Sequence, residues 1–90
     1  MQYLKEDIIK AIETKGGTVI EVSRLRRGMP SLLVGFRGTN SLLFIKDGTQ
    51  SAQRRHMTDA ELNFQTFWRG RVRIANSVAE ALNLVGATNE

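Results

Sequence analysis

The stretch that decides the fold is residues 28–48, GMPSLLVGFRGTNSLLFIKDG. Two apolar runs, 32–34 and 42–45, flank a polar break at 37–40, where Gly38 and Asn40 tolerate the positive φ of a tight hairpin connection. Both runs are nearly continuous rather than alternating, which is the pattern of strands covered on both faces. A chain of 90 residues meets that demand by placing helices on either side of one sheet. Pro30 has no amide hydrogen, so it fits the start of the first strand and not its interior. Lys46 and Asp47 put two charges where the second run ends, at the edge of the strand where a site would sit.

Upstream of the hairpin, residues 3–15 have the period of an amphipathic helix, with Leu4, Ile8, Ala11, Ile12 and Lys15 on one stripe. Gly16 and Gly17 end it. The β-branched run 18–22 is a short strand, and 23–29, SRLRRGM, is a basic loop. Downstream, the polar run 47–56 reads as an exposed loop. Thr58 and Glu61 form a capping box, with Met57 placed to staple onto Leu62. That helix extends to Trp68, with Leu62, Phe64, Phe67 and Trp68 supplying apolar surface and Trp68 expected in the core. Gly70 breaks it. Residues 71–75 alternate polar and apolar, predicting a strand with one wet, cationic face. Ser77 and Glu80 repeat the capping-box pattern, Val78, Ala81, Leu82 and Val85 follow on one helix, and 87–90 are expected to fray. The order α-β-β-β-α-β-α predicts an α/β fold, a mixed sheet with helices on both faces.

The length allows one domain, residues 1–90. There is no cysteine, so neither a disulfide framework nor a thiolate metal site is expected, and the single histidine, His56, rules out a multi-histidine zinc site within one chain. No apolar run approaches the ~20 residues that cross a bilayer, and the charged N-terminal segment lacks a signal-peptide layout, so the expected compartment is the cytoplasm. The net charge of +4 is unevenly spread. Between Arg24 and Arg73 ten basic residues face only three acids, whereas the two ends are acidic. Nine of the ten are arginine, whose guanidinium fork suits phosphate. Arg24, Arg26, Arg27, Arg37, Lys46, Arg54, Arg55 and Arg69 are therefore the candidate nucleic-acid contacts, with Arg24, Arg26 and Arg27 the foremost.

An apolar hairpin ending in lysine beside arginine loops suggests phosphodiester chemistry. Metal-assisted hydrolysis of that bond needs two or more hard oxygen ligands from adjacent strands, with a lysine nearby to offset charge. The lysine is present, but residues 31–46 contain no aspartate or glutamate.

The same stretch resembles a segment of small phage and prophage proteins of the PD-(D/E)XK restriction-endonuclease-like superfamily, near the Holliday-junction resolvase and VRR-NUC groups. The family pattern is roughly G-x-P-D-L-L-V-G-x-x-G-x-N-Y-L-L-E-V-K-D-G. The likeness continues through Met57-Thr58 and the run 67–72, FWRGRV, to 77–82, SVAEAL, and covers nearly the whole chain and its element order. It implies the restriction-endonuclease-like αβββαβα core. Pro30 and Lys46 keep the pattern, but Ser31 stands at the family aspartate and Phe44 at the family glutamate. Glu61 stands at a helix glutamine, Gln65 at a histidine, and Asp7 is the candidate for the first-helix acid.

The resemblance thus implies the nuclease fold and argues against nuclease catalysis. The leading expectation is a catalytically inactive nuclease-fold phage protein that binds DNA through its basic loops, with no cofactor and no confident catalytic residue. One alternative is an active endonuclease using Mg2+ or Mn2+ held by migrated acids such as Asp7, Glu21, Asp47 or Glu61. Another is a phage inhibitor of a host defence nuclease complex, with a host protein as its target. Phe44 is expected in the core, Glu61 as a helix cap, Asp7 and Glu21 as surface charges, and Lys46 either on phosphate or reaching solvent. A homodimer is expected, since so small a domain gains burial by pairing.

Overall fold

A computed structural model describes residues 4–53 and 56–87. Seven elements follow in the predicted order: α1 (Leu4–Thr14), β1 (Thr18–Glu21), β2 (Leu32–Phe36), β3 (Thr39–Ile45), α2 (Asp59–Phe67), β4 (Val72–Ala75) and α3 (Val78–Leu84). The four strands form one sheet in the order β1-β2-β3-β4. The first two pairings are antiparallel, and β3 runs parallel to β4 because α2 carries the chain back between them.

The near-continuous apolar runs are divided between two cores, as a sheet covered on both faces requires. Leu32, Val34, Phe36, Leu43 and Ala75 face Ile8 and Ile12 of α1 and Ala81 and Val85 of α3. Leu42, Phe44 and Val72 face the other way, onto Val22 and Phe64 of α2. Helices α1 and α3 therefore share one face, and α2 alone covers the other.

Local signals act where expected. The chain leaves α1 through bonds from Gly16 N to Glu13 O and from Gly17 N to Ile12 O. The Thr58 side chain accepts from Glu61 N, and the Glu61 carboxylate accepts from Thr58 N, so the capping box of α2 is complete.

Several expectations are corrected. The hairpin turn is only Arg37-Gly38, both at positive φ, while Thr39 pairs with Phe36 and extends β3. A two-residue turn with both residues at positive φ matches the strand twist, and here an arginine takes the strained position. The Glu80 carboxylate accepts from Asn76 N rather than closing the box on Ser77, although the Ser77 hydroxyl does accept from Glu80 N. Ala87 is buried and donates to Leu82 O, so the fraying expected from residue 87 does not begin there; 88–90, like Tyr3, lie outside the described residues. The face of β4 that carries exposed Arg73 also carries Ala75, which is fully buried, so that face is not wet along its length. Lys15, at the end of the α1 stripe, is exposed. Finally, α2 is too short to bury all its apolar residues: Phe64 alone points inward, and Leu62, Phe67 and Trp68 are exposed.

Candidate functional site

The motif positions converge at the end of the sheet where β3 finishes. Ser31 N, just ahead of β2, donates to Leu43 O, which holds Ser31 against the strand that carries Phe44. Pro30 is buried beside it. Phe44 is 1% exposed, and its ring meets Phe64 edge-to-face, with centroids 6.2 Å apart. Where the resembled family carries an acid, this chain packs a phenyl ring into the α2-side core.

Lys46 lies two residues on, on the same face. Its Nζ donates to Glu61 Oε1 at 2.9 Å, with the two side chains only 15% and 19% exposed. The lysine is therefore ion-paired and largely withdrawn from solvent, although it still lines the cleft beside it. Glu61 is both a helix cap and the partner of this lysine. Partial burial works to raise its pKa, but the hydrogen bonds from Thr58 N and Lys46, together with the lysine charge, outweigh that and hold it below the ordinary glutamate value.

Beside Lys46 opens a cleft of about 500 Å³ lined by Lys5, Glu6, Ser31, Ile45, Lys46 and Asp47, among others. Glu6, and not Asp7, is the first-helix acid that reaches it; Asp7 is exposed elsewhere on α1. Asp47 Oδ1 accepts from both the amide and the hydroxyl of Thr49. Glu21 is held at the β1 edge by Lys5, 2.9 Å away. Among the described residues no three histidine, cysteine or acidic side chains converge as a metal-binding group. The fit of a hard dication to the motif positions is poor on the chemistry of the donors: Ser31 offers a neutral oxygen, Phe44 none, and Glu61 is committed to Lys46 and Thr58.

The candidate nucleic-acid contacts do not form one patch. Arg37 sits at the hairpin turn, its guanidinium 5.1 Å from the Phe36 ring, on the α1/α3 side. Lys46 lies at the far end of β3, about 23 Å away at ~3.3 Å per strand residue. Arg54 and Arg55 lie outside the described residues. Arg24, Arg26 and Arg27 are exposed on the loop that packs against α2. Gly28 anchors this loop. Its φ is +82°, and a Cβ there would meet Ala60 O at 2.4 Å, so no other residue lets the loop approach the helix this closely. Arg26 lies over the Phe67 ring at 5.2 Å. Phe67 in turn meets Phe64, and Phe64 stacks on Trp68 with centroids 5.3 Å apart and planes 15° from parallel. Arg69 and Arg71 follow, both exposed. Sequence reasoning named Arg24, Arg26, Arg27 and Arg69 but missed the aromatic bridge between them. The available signal was the i, i+3, i+4 spacing of Phe64, Phe67 and Trp68, which brings the three rings together on one helix face.

Comparison with protein-family models, curated proteins and solved structures finds no match to this chain. The described residues form a small α/β fold with a four-stranded mixed sheet and three helices. No helix among the described residues is long and apolar enough to cross a membrane.

Proposed function

We propose that this chain is a non-catalytic, phage-type protein on a restriction-endonuclease-like αβββαβα scaffold, and that it binds DNA through its arginine loops. One observation carries the reading: the positions that would hold a metal are taken by Ser31 and by Phe44, packed on Phe64, and Lys46 is neutralised by Glu61. Remodelling of this kind leaves the scaffold and its surface cations while removing the groups that chemistry needs. The binding element is the loop 23–29, held on α2 at Gly28, with Arg24, Arg26 and Arg27 exposed on it. The test is incubation of the purified chain with duplex and branched DNA at increasing salt, with Mg2+ or Mn2+ present. Binding that weakens steeply with salt and leaves the DNA intact is expected. Metal-dependent cleavage abolished by Lys46→Ala would overturn it.

A second reading, a metal-dependent nuclease with relocated acids, is favoured by the shared cleft of Glu6, Asp47 and Lys46. Calorimetric binding of Mn2+ that disappears in Glu6→Gln or Asp47→Asn would support it. The β1 edge of the sheet, with Ile20 exposed on it, supports the proposal of a homodimer. Sedimentation velocity tests the dimer, and a monomer at all concentrations would remove it.

A further inference from the structure

We propose that the arginine–aromatic strip along α2 takes unpaired nucleobases, with Trp68 as the stacking platform; this deepens the nucleic-acid reading above and rests on it. The strip is continuous through contacts: Arg26 on Phe67, Phe67 on Phe64, Phe64 on Trp68. Trp68, at the C-cap of its helix, is 40% exposed and Phe67 48%. One indole face lies on Phe64, and Phe64 is itself wedged edge-to-face by Phe44 and Phe67. The ring is thus fixed before any ligand arrives, so little rotamer entropy remains to be lost on binding. The chain passes the indole edge at Gly70, where a Cβ would come within 2.8 Å of Trp68 Nε1. Beside the indole a small groove is lined by Leu33, Leu42, Asn40, Ser41, Gly70 and Arg71, on sheet that the short α2 leaves uncovered.

The chemistry of this strip is that of single-strand recognition, in which a π-face accepts any base and flanking cations follow the phosphates. Duplex DNA keeps its bases stacked on one another and presents edges and phosphates, so an exposed ring face finds nothing to stack on there. Exposed Leu25 and Leu62 are surfaces a protein would also cover. The charge decides between the two. Arg24, Arg26, Arg27, Arg69 and Arg71 are exposed, and neither ion pair among the described residues involves them. The acids on this side are Asp59, which shares a cleft with Arg27 at the start of α2, away from Trp68, and Glu61, which Lys46 neutralises. A polyanion with planar groups complements that set.

Trp68 is the only tryptophan in the sequence, so its emission reports on the strip directly. The full chain is titrated with labelled oligothymidylate of about 12 nucleotides and with a duplex of equal length, at ~50 mM salt. Oligothymidylate is expected to bind more tightly than duplex and to quench Trp68. Trp68→Leu, which still covers Phe64 but has no π-face, is expected to weaken oligothymidylate binding about tenfold and to leave duplex binding unchanged. Equal binding of both probes with unmoved tryptophan emission overturns this inference and leaves the DNA-binding reading standing. No binding of either probe overturns both and points to a protein partner. If Trp68→Leu fails to fold, wild-type quenching decides: quenching by oligothymidylate alone supports the inference, and equal quenching or none overturns it.

Discussion

Replacing Phe44 tests the fold and the proposed loss of catalysis together. Its ring is 1% exposed and meets Phe64 edge-to-face. Phe44→Ala removes that ring from a packed core, which costs about 3–5 kcal/mol, a range that already contains the ring–ring term. A domain of this size has roughly 5–15 kcal/mol of stability in all, so the loss is a large share of the total. At about 4–8 °C per kcal/mol, the melting temperature falls by roughly 12–40 °C. Phe44→Glu installs the acid of the resembled family. It loses the same packing and in addition buries a carboxylate, because Lys46, two residues on along that face, is already bound to Glu61. Urea denaturation followed by circular dichroism orders the three proteins: wild type, then Phe44→Ala, then Phe44→Glu. If Phe44→Glu were within ~0.5 kcal/mol of wild type, a cost typical of a surface change, and bound Mn2+, the pocket would be a latent metal site and the reasoning would fail.

Glu61→Gln reports on the buried ion pair through pH. The Glu61 pKa is lowered on folding, so its charge stabilises the fold above the ordinary value of 4.5, and that contribution is lost as pH falls through the folded value. Wild type is therefore expected to lose stability below about pH 4.5. Glu61→Gln should lose about 1–3 kcal/mol at neutral pH and show a flatter acid limb; an unchanged limb refutes the pairing. Gly28→Ala forces a methyl into Ala60 O at a positive φ. It should cost at least 1–2 kcal/mol in thermal denaturation and weaken DNA binding by displacing Arg26 and Arg27; a neutral change would mean the loop does not rest on α2. Arg27→Gln should lower the slope of log affinity against log salt by about one, measured by anisotropy with duplex DNA, and an unchanged slope would remove Arg27 from the phosphate contacts.

The order of elements was legible because its signals are local. Apolar period, glycine stops and the Thr58–Glu61 box act within a few residues, and the structure places each as the pattern requires. The unbroken apolar runs also announced a sheet covered twice, and Leu43 and Phe44 do point into opposite cores. The candidate site was legible only in part. The sequence shows that Ser31 and Phe44 carry no charge, but not that Lys46 spends its charge on Glu61, fifteen residues away. It offers Glu6 and Asp7 as equal neighbours, and only the pitch of α1 puts Glu6 in the cleft.

By itself, then, the sequence determined the α/β order, the caps and the two-sided core, since those follow from spacing along the chain. The tertiary structure alone decided which charges meet and which aromatics stay outside. The described cations between Arg24 and Arg73 were divided among the hairpin turn, the strand end, β4 and the α2 side because β3 carries the chain from one end of the sheet to the other. Phe64 is the α2 ring that reaches the core, and Phe67 and Trp68, on the same face but further toward the helix end, stay partly in solvent against it.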